Sequence, residues 1–226
     1  MKQQIVAGTS RESYAGLRRL SLVTICILAI VGLIPLHAAA DSFTVTGPTS
    51  FDILYSFLTP LNSPLTATGT YNVTSFSSSE VLMNVTIQNT TPNYVVSSVG
   101  FNTTPAVTAS FTSAGSVFTG VANDTNFPSF QTIQVCAFTS SNCSSSTNNL
   151  ALQPNSSDTF GLKLTGAFSP SLTLSTFAIK FAGGPEGSFE FQGKVPVPGT
   201  LLLFGFGFAL LVAWHQRSWY RMSALS

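Results

Sequence analysis

The stretch that decides the fold is Glu80-Val81-Leu82-Met83-Asn84-Val85-Thr86-Ile87-Gln88-Asn89. Val81, Met83, Val85 and Ile87 alternate with Glu80, Asn84, Thr86 and Gln88, so an extended chain here puts an apolar row on one face and a polar row on the other. Phe160, Leu162 and Leu164 do the same against Thr159, Lys163 and Thr165. The runs 67–73, 95–101, 133–138, 172–181 and 189–191 are rich in Thr, Val and Phe and predict further strands. In 172–181 the apolar parity shifts between Leu174 and Phe177, which predicts a bulge. Turn chemistry lies between the runs, at 89–93, 123–128, 140–149 and Gly183-Gly184-Pro185. Short strands at this spacing with no helical period predict an all-β domain: one secreted antiparallel β-sandwich, with a barrel as the competing architecture.

The segment 41–194 is poor in reactive side chains. It carries seven acidic and three basic residues, net −4, so it offers no basic patch for nucleic acid. It contains no His, Arg or Trp. Catalytic pairs that need an imidazole base, His-ligated zinc and bidentate Arg–phosphate recognition are therefore excluded from it. A two-carboxylate glycosidase needs only two acids, and Glu186 and Glu190 are neighbours, but the reading places Glu190 on the polar face of a short strand and Glu186 in a turn, as solvated carboxylates. Calcium at Asp124 or Asp158 lacks a dense Asp/Asn/Gly motif, so no metal or cofactor is expected. For carbohydrate stacking the missing Trp leaves Tyr55, Tyr71 and Tyr94.

Both ends of the chain read as targeting signals. Arg18 and Arg19 precede an apolar run, Leu20 to Leu36, and Ala38-Ala39-Ala40 supplies small residues for signal peptidase before Asp41, which predicts a signal peptide over 1–40 cut between Ala40 and Asp41. An uncleaved N-terminal anchor is the alternative, and twin-arginine export fits Leu20-Ser21-Leu22 poorly. At the other end stand Val195-Pro196-Val197-Pro198-Gly199-Thr200, an apolar run 201–214 and a tail 215–226 with Arg217 and Arg221. Pro196 and Pro198 bias the chain toward an extended form that a protease can grip. As a helix 201–214 rises about 21 Å, short of the roughly 30 Å hydrocarbon core, and a span becomes feasible on counting back to Val195 and on to the Trp214 and Trp219 anchors. The basic residues beyond it predict a cytoplasmic tail with everything upstream exported.

This tail resembles the PEP-CTERM sorting signal of Gram-negative bacteria, a Pro-Glu-Pro motif followed by an apolar helix and a basic cluster, with Val197 where the family's Glu usually sits. The resemblance implies recognition by exosortase, a membrane transpeptidase-like cysteine protease, with the ectodomain in the periplasm in transit and at the cell surface or in extracellular polysaccharide afterwards. An ordinary C-terminal membrane anchor is the alternative. The upstream domain resembles the cistern family of PEP-CTERM proteins through 83–90, Val99-Gly100-Phe101, Val135-Cys136-Ala137-Phe138, Asn142-Cys143, 157–160, 172–174 and 187–189, although that family's Gly-rich stretch is here 144–149. That resemblance implies no particular biochemical activity.

Cys136 and Cys143 are the only cysteines outside the signal. In an oxidising compartment they are expected to form a disulfide, with two free thiols as the alternative; without His they cannot fill a zinc shell. Seven Asn-x-Ser/Thr triplets begin at Asn72, Asn84, Asn89, Asn102, Asn123, Asn142 and Asn155, and a chain this rich in Asn, Ser and Thr produces such triplets by chance. The expectation is a non-catalytic exported protein with a neutral, hydroxyl-rich surface. A carbohydrate-binding module is the first alternative and the two-carboxylate hydrolase the second.

Overall fold

A computed structural model of the chain describes residues 42–127, 129–145 and 149–196. The expected signal peptide with its Ala40–Asp41 cut, the motif from Val197 to Thr200, the apolar run 201–214 and the basic tail lie outside the described residues. Eleven strands are described: β1 Ser42–Val45, β2 Thr49–Leu58, β3 Pro64–Phe76, β4 Glu80–Asn89, β5 Val95–Thr104, β6 Thr108–Ser113, β7 Gly120–Asn126, β8 Thr132–Phe138, β9 Ser157–Thr165, β10 Leu172–Gly184 and β11 Gly187–Gln192. Sheet I runs β1-β10-β5-β8-β7 with β11 also on β10, and sheet II runs β2-β3-β4-β9-β6. Every pairing is antiparallel.

Two separate sheets facing one core make this a sandwich and not a closed barrel. In β4, Val81, Met83, Val85 and Ile87 are buried while Asn84 and Gln88 are exposed, as the alternation requires. The same rule fills the interior from β2 with Phe51, Ile53 and Tyr55, from β9 with Phe160, Leu162 and Leu164, and from β10 with Leu172, Leu174, Phe177, Ile179 and Phe181. Phe51 stacks on Tyr71 at 5.2 Å, and Phe177 meets the Tyr71 ring edge-on at 5.4 Å, so aromatic rings from both sheets interlock at the centre.

The bulge expected in 172–181 is present: the β10–β5 register shifts between Ser175 and Ala178, and Thr176 sits at φ 52°. The same point divides the outer edge of β10. β1 pairs below it, Ser42 opposite Ser175, and β11 pairs above it, Gln192 opposite Ala178.

Three assignments of loop change. The expected loop 123–128 begins inside β7, which pairs Asn123 with Val135 and Thr125 with Ile133. Its sequence hides this because an edge strand with few buried positions needs no apolar alternation. Asn89 closes β4, and β10 continues through Gly183 and Gly184 before the chain turns. Strands β1, β2, β6 and β7 are additional to the expected set.

Candidate functional site

The seam where the last strand leaves the sandwich is the candidate site. After β11 the Gly193 amide donates to the Phe177 carbonyl of sheet I at 2.7 Å. Lys194 then exchanges two backbone hydrogen bonds with Leu54 of β2, each 2.9 Å, so the chain crosses from the edge of one sheet to the edge of the other. Only glycine fits the crossing: a Cβ on Gly193 would stand 2.5 Å from Ile53 Cγ2 and 2.6 Å from the Tyr55 ring. Val195, the first residue of the expected motif, is 8 % exposed and belongs to the core, whereas Lys194 and Pro196 are exposed. On the opposite side Asn123 closes the sandwich with its side chain: its Oδ1 accepts from the Ala109 amide at 2.7 Å and its Nδ2 donates to the Ala109 carbonyl at 3.0 Å.

The two sheets differ on their outer faces. Among the described residues nothing covers the outer face of sheet II, where the Asp52 carboxylate and the Thr70, Thr86 and Thr159 hydroxyls stand in register across the strands. Thr70 donates to Asp52 at 2.7 Å, and the Thr86 and Thr159 hydroxyls are 2.8 Å apart. Sheet I is covered. Phe127, Ile133, Cys136, Cys143 and Ala178 form a second small core outside it, with Phe130 and Phe138 packed against them. Cys136 and Cys143 are joined in a disulfide, as expected, with Cα atoms 6.4 Å apart, and the Cys143 carbonyl accepts from Ser98 at 3.1 Å.

Beneath this cover Lys180 and Glu190, opposite one another on β10 and β11, form an ion pair at 2.8 Å with both side chains 3 % exposed. Lys180 Nζ also donates to the Ser144 carbonyl at 2.8 Å, and Glu190 Oε2 accepts from the Ser129 amide at 2.5 Å. Glu190 is therefore not the solvated surface carboxylate that strand alternation predicts; the segments that bury it come from elsewhere in the chain. Glu186 is also engaged. Its carboxylate accepts from the Thr59 hydroxyl at 2.5 Å, the Leu61 amide at 3.1 Å and the Tyr94 hydroxyl at 3.5 Å, which pins the β2–β3 loop to the β10–β11 turn.

Tyr55, Tyr71 and Tyr94 are each 1 % exposed and present no ring face for stacking on a sugar. The Tyr55 and Tyr71 hydroxyls meet at 3.2 Å inside the core. Burial pushes both phenols up, Tyr55 well above its usual value and Tyr71 to about 12. Asp158 turns inward near the start of β9 and closes the β6–β7 connection. Its two oxygens accept from the amides of Ser116, Val117 and Phe118 and from the Ser116 hydroxyl, at 2.8 to 2.9 Å. Burial raises this carboxyl, but the Phe118, Ser116 and Val117 donors outweigh burial and hold it below the usual carboxylate value. Asp124 stands apart on the surface. Among the described residues no three of His, Cys, Asp and Glu gather to hold a metal.

Four of the Asn-x-Ser/Thr asparagines are committed to the fold: Asn102 accepts from the Gln134 amide and Asn142 from the Ser144 amide, each at 2.9 Å. Asn89 is buried and donates to the Tyr94 and Leu152 carbonyls, and Asn123 closes the sheet edge. A cavity of about 10 Å³ lies in the core among Tyr71, Val85, Phe101, Val135, Phe160 and Leu162, room for about one water and for no organic ligand.

Residues 194–218 match the family model of the PEP-CTERM protein-sorting motif. Comparison with curated proteins and with solved structures finds no match. The matched segment thus starts at Lys194, the residue that bridges to Leu54. The motif is legible in the sequence, but the place of its first residue, Val195, in the sandwich is not. The one signal was the buried-type Val195 two residues after a glycine.

Proposed function

We propose that this chain is a non-catalytic exported β-sandwich delivered to the cell envelope, surface or extracellular polysaccharide matrix of a Gram-negative bacterium by its PEP-CTERM tail. The observation that carries the reading is the sorting motif at 194–218, which implies export and an exosortase-type processing enzyme. Signal peptidase acts at Ala40–Asp41, the ectodomain folds in the periplasm, and, with Val195 taken up by the sandwich core, the apolar run 201–214 holds it at the inner membrane until sorting by continuing to the Trp219 anchor, about 28 Å as a helix. The described residues support a structural role over a catalytic one: each acid of the Glu186/Glu190 pair is occupied by donors from its own fold. The bare, nearly neutral face of sheet II, with its Thr, Asn and Gln side chains, suits contact with a hydroxyl-rich polymer. The test is cell fractionation with and without the processing enzyme: release or surface display that depends on the enzyme supports the reading, and unchanged retention in the inner membrane defeats it. Co-sedimentation with extracellular polysaccharide tests the matrix contact separately.

A further inference from the structure

We propose that the end of β2, from Ser56 to Leu58, is a self-association edge: two copies of this chain join antiparallel, β2 to β2, about a two-fold axis at Phe57.

β2 lies at the border of sheet II, with β3 on one side only. Its other edge is engaged at a single residue. Leu54 exchanges both backbone bonds with Lys194 there, and the two-residue period of a strand points the amide and carbonyl groups of Ser56 and Leu58 to the same edge. Among the described residues no hydrogen bond reaches them. The border strands on the far side, β6 and β7, are by contrast linked through the Asn123 side chain. Edge strands are ordinarily protected by charge, by Pro or by a covering segment. Ile53 to Leu58 carries neither charge nor Pro, and the cover supplied by Lys194 stops at Leu54.

Apolar side chains collect at the same place. Leu54, Phe57, Leu58 and Leu61 are 48 %, 38 %, 59 % and 69 % exposed, and among the other described residues Leu150 alone is a large hydrophobic exposed to this degree. The patch is held in shape. Thr59 and Leu61 are tied to Glu186, the Thr59 amide donates to the Ser63 carbonyl at 3.1 Å, and Phe57 stacks on Phe191 at 5.1 Å. A preformed surface loses little entropy on binding.

Register and charge identify the occupant as a second copy. In an antiparallel pair centred on Phe57, Ser56 of each copy faces Leu58 of the other, and each facing pair exchanges two backbone bonds. The donors and acceptors that one copy leaves free are those the other needs. Phe57 meets Phe57 across the axis and continues the stack begun with Phe191, while Leu58 lies diagonal to Leu54 and Leu58 of the second copy. No charge lies in 53–62, so like meets like without repulsion. At the rim the same register sets Pro60 of one copy opposite Leu54 of the other, where the exposed Lys194 stands. The loop around Pro60 carries Glu186 through Thr59 and Leu61, so each Lys194 comes up against Glu186 of the second copy. Both rims thus join opposite charges, and the isologous contact closes as a dimer.

The test is sedimentation velocity of the full chain in detergent micelles over a range of protein concentration, where a concentration-dependent dimer is expected. Ser56→Pro removes the outward amide and keeps the fold, since Pro is tolerated on a strand edge whose N–H faces solvent; it should weaken the dimer at least about tenfold. Leu58→Lys puts charge on the edge through an already exposed side chain and should also shift the chain toward monomer. In a buffer containing oxidised glutathione, Phe57→Cys should form an intermolecular disulfide, because facing residues at the axis bring their Cα atoms within bonding range, whereas Thr70→Cys on the open face of sheet II should not. A chain that stays monomeric throughout overturns the proposal. A dimer that survives both edge variants overturns it as well, placing the contact elsewhere in the chain, and so does cross-linking of Thr70→Cys as readily as Phe57→Cys.

Discussion

Two Lys–Glu pairs of the same chemistry occupy opposite outer faces of the sandwich. Lys163 and Glu80 lie on the bare face of sheet II at 3.8 Å, with side chains 42 % and 45 % exposed. Lys180 and Glu190 lie under the cover of sheet I at 2.8 Å, with 3 % exposed on each side. Water screens the first pair and is excluded from the second, so the first adds little to stability, while the second must be kept whole because each charge is buried only on condition that the other is present. The cover also turns two loop segments into structural parts: Ser129 and Ser144 reach the pair through their backbone, and the disulfide fixes the segment that delivers Ser144.

The largest effect should come from breaking the covered pair. Glu190→Ala leaves the Lys180 ammonium buried without its counter-charge and should cost about 3 to 5 kcal/mol of unfolding free energy in urea titrations. Replacing both partners, as Lys180→Met with Glu190→Leu, should recover most of that loss, since well-packed apolar side chains substitute for a buried ion pair. A single Glu190 variant as stable as the parent would show that water reaches the pair.

Removing the disulfide attacks the cover from its other side. Cys136→Ser with Cys143→Ser should cost about 2 to 3 kcal/mol in the chain-entropy picture, and local exchange at 139–145 should rise while the sheet II strands stay protected. Loss of protection in sheet II as well would mean that the cover and the main core melt as one unit.

Asp158 provides a contrast on the sheet II side, where a single carboxylate holds a connection without any covering loop. Asp158→Asn should cost about 2 kcal/mol, the scale of hydrogen bonds to a charged acceptor. The pH dependence carries a definite sign. The folded carboxyl lies below its ordinary value of 3.8, so its contribution is full above that value and is lost as pH falls through the lower folded one. Acid unfolding of the Asp158→Asn variant should therefore be shallower than that of the parent below pH 3.8.

Between the sheets, the Tyr55–Tyr71 pair responds to alkali. Both phenols titrate higher when folded than at their ordinary value of 10, so their contribution is complete below pH 10 and is lost as pH rises toward and past 12, the value reached by Tyr71. Absorbance of ionised tyrosine should appear together with unfolding, and free ionisation in a folded ectodomain near pH 10 would contradict the burial. The smallest effect should belong to the bare pair: Lys163→Ala should stay within about 0.5 kcal/mol of the parent.

The legible and illegible parts of the fold follow the same division. Sheet II was written in the alternation of β4 and β9, because a strand with one wet face must alternate. Sheet I was harder to read. β5 is buried on both faces, and β7 is an irregular edge whose Asp124 sits at φ 49°, so neither alternates in a way that reports its surroundings. The partners of Glu190 were hidden for a related reason. Ser129 and Ser144 act through backbone groups, which every residue has, and nothing in a serine announces that its amide or carbonyl will meet a charge. At the C-terminus the composition marked the sorting motif, but the bond between Lys194 and Leu54 joins residues far apart in the chain and leaves no local trace.

The divided edge of β10 fixes an order of events in time. β1, the first of the described strands, pairs with Leu172–Ser175, more than a hundred residues later, and the edge is completed by the chain that follows β11. Pairings across such separations form slowly, because the loop between them must be closed first. In a chain that emerges N-terminus first, β1 waits unpaired for nearly the whole sandwich to follow. The segment that finishes the sandwich also begins the matched sorting motif, so the last pairing of the fold waits for the chain's first motif residues.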